Sequence, residues 1–344
     1  MAKLIVIVGP TASGKSDLAV FLALRLSSVQ ARKKYGIEGA EIISADSRQV
    51  YKYMNIGTGK ITKKEMKGIP HYMLDVAHPS RQFTVAQYKK SVEKIIRDIQ
   101  KRGKVPILVG GTGFYIDSVV YDMDFPEVKA NKKLRHKLEK LSAEELFEIL
   151  KKKDAKRAKT IESKNKRRLI RALEIVEELG KVPENNYLTY FHGRGNMSDS
   201  NTLIIGIKVE KELLHKRIEK RLDARLNEGP STGSGQDMIE EVRKLREEVG
   251  VSWKRLENFG LEYRWIAKFL QDKISKEEMQ EELARDIKRY ARRQMVWFKR
   301  NKDIKWIELE SKKQSRPQSS RGSSIPNVLG LEEEAEKLIN NFLY

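Results

Sequence analysis

A glycine-rich segment near the start of the chain, GPTASGKS at residues 9–16, constrains the fold more than any other stretch. It matches the pattern G-x-x-x-x-G-K-[ST] and lies between the apolar run LIVIV (Leu4–Val8) and a helical pattern over Lys15–Leu26. In such a strand–loop–helix unit, backbone N–H groups at the start of the helix surround phosphate oxygens, and the helix dipole favours their charge. The sequence therefore predicts a phosphate-binding loop made of Gly9, Pro10, Thr11, Ala12, Ser13, Gly14, Lys15 and Ser16.

Two side chains of this loop have predicted roles. Lys15 supplies a positive charge to a terminal phosphate, and Ser16 is a candidate ligand of Mg²⁺. The loop alone indicates a ligand with at least two phosphates. It does not distinguish nucleotide hydrolysis from other reactions.

Apolar β-rich runs alternate with helical patterns along the chain. EIIS (Glu41–Ser44), VPILVGG (Val105–Gly111) and TLIIGIKV (Thr202–Val209) follow the first strand, and the helix over Thr84–Arg102 begins with the capping box TVAQ. Continuously apolar strands separated by helices are typical of a parallel sheet covered on both faces. We predict an α/β fold: a P-loop NTPase-like parallel sheet flanked by helices, with a small all-helical insertion domain.

The pattern divides the chain into four segments of different character. In chain order they are the first part of the core (1–124), a helical insertion (125–199), a segment that completes the core with a strand and helices (200–310), and a polar tail with a short C-terminal helix (311–344). The stretches 229–237 and 311–324 are rich in Gly, Ser and other polar residues, which predicts flexible chain.

The net charge of +21 is concentrated in two short segments. Residues 151–171 hold 11 Lys and Arg against 2 acidic residues, and residues 284–305 hold 9 against 2. Neutralising the phosphates of a polyanion releases counterions, so concentrated positive charge favours nucleic-acid binding over a merely solvated surface.

Composition excludes several classes of protein. The chain has no Cys, which excludes disulfide bridges, a thiolate nucleophile and a cysteine-based zinc cluster. Apolar runs are shorter than a membrane span, and the pattern of a signal peptide is missing at the N-terminus. We expect a cytoplasmic protein without a membrane segment, and a monomer.

Asp46 is the candidate acid opposite the phosphate loop. It follows the strand EIIS, at the carboxyl edge where ligands bind in open α/β sheets, whereas the strand over Val105–Gly111 ends in GGTGFY without an acid. An ordinary ATPase of this type needs acidic residues after a second strand to hold Mg²⁺ and position water. Asp46 is therefore interpreted as a base that accepts a proton from an attacking group, and the alternative is a residue that caps a turn or helix.

Ordered motifs over residues 4–308 resemble those of one family, the tRNA dimethylallyltransferases, also called tRNA isopentenyltransferases. The most specific are ISADSRQVYKYMNIGTGK at 43–60 and LVGGTGFY at 108–115, both after the phosphate loop. Further matching motifs are PHYMLD (70–75), KRRLIRALE (166–174), LLHKRIEKR (213–221), EYR (262–264) and YARRQMVWF (290–298).

The resemblance implies a reaction and its donor. Members of this family transfer a dimethylallyl group from dimethylallyl diphosphate to the exocyclic amine of the adenosine just 3′ of the anticodon in certain tRNAs. The loop would then bind a diphosphate leaving group, with Lys15, the loop amides and Mg²⁺ at Ser16 stabilising its developing charge. Asp46 would accept the amine proton, and Thr112 would lie near Asp46 and the adenosine.

Arg217 and Arg221 match arginines that handle the diphosphate in this family. They are four residues apart and share one helix face. The alternative is a surface salt-bridge ladder with Glu219 and its neighbours. His71 matches a histidine of the family before a Leu-Asp pair, and a structural role is the alternative to catalysis there.

The resemblance also implies contacts with the anticodon stem-loop of tRNA. The target base must be splayed out of its stack to reach Asp46, and Gln49 is a candidate to read its edge. Candidate tRNA-binding residues are Asp46, Ser47, Arg48, Gln49, Thr112, Arg135, Arg167, Arg168, Arg171 and Arg264. Arg167, Arg168 and Arg171 fall in the first basic segment, so the insertion is expected to bind tRNA. Tyr290, Trp297 and Phe298, at helical spacing, are interpreted as core residues.

The chain departs from the family pattern at four places. It has Tyr72 where a second histidine is usual, Ile287-Lys288 instead of Thr-Arg, Glu262 instead of Gly before Tyr-Arg, and an added PSTGSGQD at 230–237. These departures concern tRNA contacts and specificity more than transfer chemistry.

Two other functions fit part of the sequence. A P-loop kinase of a nucleotide or small metabolite would share the loop, the sheet and an acid facing the phosphates. A non-enzymatic RNA-binding protein with a relict loop would share the basic segments. ATP-dependent phosphorylation of a small acceptor would identify the kinase, and retention of all function without Asp46 would identify the binding protein.

Overall fold

The computed structural model describes residues 3–183, 201–228, 237–309 and 328–343. Its sheet has six strands in the order β3-β2-β4-β1-β5-β6, and every neighbouring pair is parallel. The strands are β1 (Leu4–Val8), β2 (Ala40–Ser44), β3 (His71–Tyr72), β4 (Val105–Gly110), β5 (Thr202–Val209) and β6 (Lys305–Leu309). The predicted parallel α/β sheet of the P-loop type is confirmed.

The three central strands are buried along their whole length, as their continuously apolar sequences predict. Val8 of β1 pairs with Gly110 of β4, and Ser44 of β2 pairs with Val109 of β4. The carboxyl ends of these strands are therefore level with one another. This register brings the phosphate loop, Asp46 and the GGT sequence to the same edge of the sheet.

Contacts between Cα atoms divide the chain into two compact units, Met1–Tyr121 with Asn196–Tyr344 and, separately, Asp122–Gly195. The helices of the first unit are Lys15–Leu26, Val29–Tyr35, Lys63–Met66, Val85–Lys101, Gly113–Val120, Lys211–Asp223, Met238–Glu247, Trp253–Phe259, Leu261–Phe269, Lys276–Phe298 and Val328–Leu343, with a π-helical turn at Ala224–Glu228. The first of these matches the predicted helix residue for residue. Thr84 and Gln87 form the predicted capping box.

The second unit, which we call the helical unit, has its own apolar core. Its helices are Lys132–Leu138, Ala143–Lys153, Ala155–Ala158 and Lys166–Leu179. Leu146, Leu150 and Leu169 are fully buried there. Ser142 and Glu145 form a capping box at the start of the second helix.

Three elements were not anticipated in full from the sequence. β3 and β6 are the edge strands of the sheet, and the sequence pattern assigned neither of them. The C-terminal helix Val328–Leu343 has 16 residues and buries Leu331, Ala335 and Ile339 in the main core. Burial of one apolar face stabilises this helix, which is longer than the short one expected.

The predicted flexible stretches lie almost entirely outside the described residues. Of the first, only Asp237 is described, and its carboxylate accepts a hydrogen bond of 2.7 Å from the backbone N–H of Glu240 to cap the helix Met238–Glu247. In the parts of the chain that the structure describes, every helix is too short or too polar to span a bilayer.

Candidate active site

A cavity of about 460 Å³ lies at the carboxyl edge of the sheet, within the main unit. The phosphate loop enters it from the end of β1, Asp46 from the end of β2, and Gly110–Gly111 from the end of β4. Arg217, Arg221, Tyr290 and Gln294 reach it from the helices. The structure therefore brings the predicted phosphate site and the predicted base to one cavity.

The phosphate loop has the backbone conformation that its glycines permit. Gly9 has φ +151°, and a Cβ there would lie 2.8 Å from the carbonyl oxygen of Ile207. Gly14 has φ +89° and begins the helix Lys15–Leu26. A side chain at either position would strain or displace the loop, so both glycines are required by its geometry.

Lys15 bends back over the loop. Its Nζ donates a hydrogen bond of 2.5 Å to the carbonyl oxygen of Pro10 and lies 3.5 Å from Ser13 Oγ. The pKa of Lys15 is lowered to about 7, first by burial and then by the charge of Arg221, while Asp46 acts in the opposite direction. An anion bound in the cradle would act in the same direction as Asp46 and favour the charged ammonium of Lys15, which fits a role in binding phosphate.

Arg217 and Arg221 both line the cavity, on one face of the helix Lys211–Asp223. Arg221 Nη2 donates a hydrogen bond to the hydroxyl of Thr11 in the phosphate loop. The alternative of a ladder with Glu219 does not hold, because Glu219 forms its ion pair with Lys288 at 2.6 Å. Among the described residues, none of the ion pairs uses either cavity arginine, so both guanidinium groups face the place where an anion would bind.

Asp46 lies at the start of the turn that follows β2, and the backbone of that turn holds its carboxylate. Its Oδ1 accepts hydrogen bonds from the backbone N–H groups of Arg48, at 2.7 Å, and Gln49, at 3.3 Å. Among the described residues, no hydrogen bond engages Oδ2. One carboxylate oxygen thus orients the group, and the other remains for a proton from the cavity.

Thr112 and Ser47 connect the end of β4 to the turn after β2. Thr112 Oγ1 accepts a hydrogen bond of 3.0 Å from the backbone N–H of Ser47, and the backbone N–H of Thr112 donates to the carbonyl oxygen of Ala45 at 3.1 Å. The hydroxyl of Tyr290 lies beside Thr112, and burial raises the pKa of this phenol to about 12. Thr112 is therefore beside Asp46, as predicted, and fixes the turn that carries it.

Tyr290 corrects one interpretation of the sequence. The helical spacing of Tyr290, Trp297 and Phe298 suggested three core residues, and Phe298 is indeed buried. Tyr290 instead lines the cavity with its hydroxyl beside Thr112. Trp297 packs against Gly113, where a Cβ would lie 2.1 Å from the ring, and its Nε1 donates to Asp117 at 2.8 Å.

Gln294 is a cavity residue that no sequence pattern singled out. Its Oε1 accepts a hydrogen bond of 2.8 Å from the backbone N–H of Thr11, and its Nε2 donates to the carbonyl oxygen of Gly111 at 2.9 Å. A Cβ on Gly111 would lie 2.1 Å from that nitrogen. This amide ties the phosphate loop to the GGT sequence. The helical spacing of Tyr290, Trp297 and Phe298 indicated a helix here, but it did not show which face of the helix Lys276–Phe298 points inward.

Gln49 is held by the protein rather than extended into solvent. Its Oε1 accepts from Ser44 Oγ at 3.0 Å, and its Nε2 donates to the carbonyl oxygen of Gly59 at 3.2 Å. It still lines the cavity. Arg48, its neighbour, lies over the ring of Phe259 at 5.6 Å.

Glu241 anchors the loop that faces Gln49. Its carboxylate accepts hydrogen bonds from the backbone N–H groups of Asn55 and Ile56 at 2.6 Å and of Gly57 at 3.1 Å. The hydroxyl of Tyr263 also donates to it, at 2.7 Å. This buried acid shapes the loop from almost 200 positions further along the chain, which is why the local sequence gave no signal for it.

The candidate tRNA-binding arginines of the helical unit differ in their surroundings. Arg135 pairs with the buried Glu174 at 2.6 Å, and Arg171 lies 3.5 Å from the same carboxylate. Arg168 is 57% exposed and lies 3.6 Å from Glu162. Arg167 is in the same helix. In the main unit, Arg264 lies 3.6 Å from Asp286.

Most departures from the family pattern have local partners. The hydroxyl of Tyr72 donates to Glu41 at 2.8 Å, Ile287 is buried in the core, and Lys288 pairs with Glu219.

His71 lines the cavity, and its Nδ1 lies 2.8 Å from the carbonyl oxygen of Ile69. Burial lowers the pKa of His71, which favours the neutral ring.

Ser16 is exposed to the cavity next to Lys15. Among the described residues, His, Asp and Glu side chains form no group of three that could hold a metal ion. A divalent cation at Ser16 would thus need oxygen ligands from a bound diphosphate and water. Mg²⁺ is commonly bound in this way, through a single protein oxygen plus phosphates.

Comparison with known proteins gives consistent matches. Residues 49–301 match the family model described as IPP transferase. The chain is 40% identical over 319 residues to a tRNA dimethylallyltransferase of Thermoanaerobacter sp. (strain X514), covering 90% of this chain and 93% of the relative. It is 38% identical over 320 residues to the tRNA dimethylallyltransferase of Bacillus licheniformis, covering 90% and 94%.

Solved structures are similar over nearly the whole chain. The full-length tRNA isopentenylpyrophosphate transferase from Bacillus halodurans aligns with a TM-score of 0.67 at 31% identity, covering 100% of this chain and 97% of that one. A eukaryotic dimethylallyltransferase acting on tRNA aligns with a TM-score of 0.68 at 26% identity, covering 90% and 74%.

Proposed function

This chain belongs to the IPP transferase family, and from that premise we propose how its residues transfer a dimethylallyl group to tRNA. It is a transferase and not a small-molecule kinase. The observation that carries the proposal is a single cavity in which Lys15, Arg217 and Arg221 surround the phosphate loop while Asp46 lies across from them.

The donor would bind with its diphosphate in the cradle of residues 9–16. Backbone N–H groups at the start of the helix Lys15–Leu26, the Lys15 ammonium and the two cavity arginines all offer positive potential to it. When the allylic C–O bond breaks, its electron pair leaves with the diphosphate. These groups stabilise the charge that develops on that oxygen, so the cradle lowers the barrier to bond breaking.

The acceptor would be the exocyclic amine of an adenosine splayed out of the anticodon loop. Its nitrogen forms a bond to the allylic carbon as the C–O bond breaks, and it must lose one proton. Asp46 is oriented through Oδ1, so Oδ2 can accept that proton. Tyr290 borders the same space with Thr112 beside its hydroxyl, and the two would position the purine.

A magnesium ion, when bound, would neutralise part of the diphosphate charge. Ser16 is the residue that would hold it, together with phosphate oxygens. The remaining contributions come from the chain itself, because the loop and the arginines orient the leaving group without the metal.

The tRNA would be held by the arginines of the helical unit and by the turn at residues 46–49. The first basic segment, 151–171, supplies sequence-independent attraction to phosphates. We propose that the enzyme works as a monomer in the cytoplasm, with the anticodon stem-loop as its macromolecular substrate.

Incubation of the purified chain with labelled dimethylallyl diphosphate, unmodified tRNA and magnesium, without ATP, tests the proposed function. We expect label in the RNA and release of one diphosphate per prenylated adenosine, identified by nucleoside mass spectrometry. A parallel reaction with ATP and nucleosides serves as the kinase control. ATP-dependent phosphorylation in that control, with no label in tRNA, would contradict the proposal.

A further inference from the structure

A buried acid outside the cavity holds the loop that contacts Gln49. Glu241 is 6% exposed and lies on the helix Met238–Glu247, away from the residues that line the cavity. Its carboxylate accepts four hydrogen bonds, three from the successive backbone N–H groups of residues 55–57 and one from the hydroxyl of Tyr263. An ionised carboxylate only accepts hydrogen bonds, so these donors satisfy it in the interior. The acid and the loop therefore fix each other's position.

The same loop is closed on itself and packed tightly from behind. The backbone N–H of Lys60 donates to the carbonyl oxygen of Asn55 at 2.9 Å. A Cβ on Gly57 would lie 2.9 Å from Cζ of Tyr263, so the loop and this ring are in close contact. Residues 55–60 are thus held in one conformation, and any added side chain at Gly57 would move them away from the acid.

Two carbonyl oxygens of this loop fix the orientation of the Gln49 amide. Its Nε2 donates to the carbonyl oxygens of Gly59 at 3.2 Å and Thr58 at 3.4 Å, and its Oε1 accepts from Ser44 Oγ at 3.0 Å. A backbone carbonyl only accepts, so turning the amide around would place its oxygen against two other oxygens. All four residues line the cavity. An amide oxygen has two lone pairs, and Ser44 uses one, so the other is left for a donor in the cavity.

We propose that Glu241 is a positioning residue for the acceptor base, because its loop keeps the oxygen of the Gln49 amide available to the exocyclic amine of adenosine. This inference rests on the proposed function, since it assumes that the splayed adenosine enters the cavity. The amine has two N–H groups. Asp46 takes the proton of one, and the hydrogen that stays on nitrogen in the product is donated to Gln49 Oε1. A purine without this amine would leave that oxygen unpaired and bind more weakly.

Glu241→Gln tests the inference, because it keeps the size of the side chain but turns an NH₂ group toward the N–H groups of the loop. Binding is measured by fluorescence anisotropy with two unmodified anticodon stem-loops. One carries adenosine just 3′ of the anticodon, and the other carries purine riboside there, which lacks the exocyclic amine. We expect the preference for adenosine to fall about three- to tenfold, the loss of one neutral hydrogen bond, while affinity for the purine riboside RNA stays within about twofold.

Three further variants locate the cause. Tyr263→Phe removes the hydrogen bond to Glu241 that does not come from the loop, keeps the ring against Gly57, and should retain the preference of the wild type. Gln49→Met removes the amide oxygen and should lose the preference as Glu241→Gln does. Gly57→Ala displaces the loop from the other side and carries the same expectation if Glu241→Gln fails to fold. Affinity for inorganic diphosphate should be unchanged in Glu241→Gln, because the phosphate cradle is not altered.

An unchanged preference for adenosine in folded Glu241→Gln or Gly57→Ala would overturn the inference. Equal weakening of both RNAs would also overturn it, because that result indicates a general structural lesion. Equal loss of preference in Tyr263→Phe would exclude the loop contacts as the cause, and an unchanged preference in Gln49→Met would exclude the amide. A wild-type chain that transfers no label to the adenosine stem-loop gives a different result, which contradicts the proposed function itself.

Discussion

Single residues decide whether this cavity can bind diphosphate and also accept a proton from the acceptor amine. Lys15 is held over the loop by Pro10, and Asp46 is held across from it by two backbone N–H groups. Contacts within the chain set both orientations. The site is therefore preorganised, and isosteric substitutions can separate charge from geometry.

Asp46→Asn is the first residue-scale prediction. The amide keeps an oxygen for the two backbone N–H groups but cannot accept the amine proton, so single-turnover transfer should fall by about 10²–10⁴-fold. Binding of tRNA, measured by filter retention, should stay within about threefold of the wild type, because the turn is preserved. Transfer at the wild-type rate would remove Asp46 from the mechanism.

The titration of Lys15 gives the second prediction. In the free enzyme its pKa is about 7, and a bound polyanion raises it, so binding near or above pH 7 takes up a proton. The contribution of Lys15 to the affinity for diphosphate, taken as the difference between the wild type and Lys15→Met, should consequently be greatest below pH 7 and decrease as the pH rises through 7 and above. Calorimetry in metal-free buffers of different ionisation enthalpy measures the proton uptake. Lys15→Met corrects for protons taken up by the ligand, and equal uptake by both proteins would contradict the assignment.

At the scale of elements, parallel strands and the helices that follow them bring distant residues together. The ends of β1, β2 and β4 supply the loop, Asp46 and the GGT sequence, while the helix Lys276–Phe298 contributes Tyr290 and Gln294. Gln294 binds both Thr11 and Gly111, so this helix holds two strand ends in fixed relation. The cavity thus depends on docking of that helix as much as on the sheet.

The helical unit contains arginines that pair with a buried acid and arginines that are exposed, and this difference gives the third prediction. Arg135 shares the fully buried carboxylate of Glu174, whereas Arg168 is largely exposed. Arg135→Ala should lower the free energy of unfolding by about 1–3 kcal/mol, because it leaves a buried charge with a weaker partner. Arg168→Ala should leave thermal stability unchanged and weaken tRNA binding.

Thermal melts and tRNA titrations on both variants, with the exposed Lys33→Gln as control, provide the measurement. Equal loss of stability in the two arginine variants would show that Arg168 is also structural. Unchanged tRNA affinity in Arg168→Ala would exclude this arginine from the RNA contact.

The proposed function requires the molecule to bind a small anion, the donor diphosphate, and a large one, tRNA. The affinities for these two ligands should respond differently to salt. The main unit encloses the cradle, while the charge excess of +21 is concentrated in segments 151–171 and 284–305. Exposed phosphate contacts are screened and release counterions, whereas buried contacts are screened much less. Ionic strength should therefore separate tRNA binding from donor binding.

The fourth prediction quantifies that difference. If four tRNA phosphates are neutralised, affinity for tRNA should fall by about a hundredfold between 50 and 200 mM salt. Replacing Lys151 and Lys152 by Gln should reduce the slope of log affinity against log salt by up to about 0.7–0.9 for each lysine that contacts a phosphate. Lys33→Gln should leave the slope unchanged. A slope equal to that of the wild type in the double variant would place the RNA elsewhere.

The sequence by itself determined the parallel sheet, the phosphate loop and the acid opposite it. Leu4–Val8 and Thr202–Val209 were predicted with their observed bounds, because a strand buried on both faces must be apolar throughout. The edge strand Lys305–Leu309 escaped prediction, since its alternating residues KWIEL lack that signal. Loop and acid were predictable because strand ends in such a sheet share one edge.

Only the tertiary structure decided which polar side chains support the site. Glu241 and Gln294 lie on helices far along the chain, and their local sequences resemble ordinary polar helix faces. Their roles arise from helix packing, which buries a carboxylate or an amide next to backbone groups supplied by another part of the chain. The spacing of apolar residues along a helix indicates which face is buried. The partner of a buried polar atom depends on contacts that are not local in sequence.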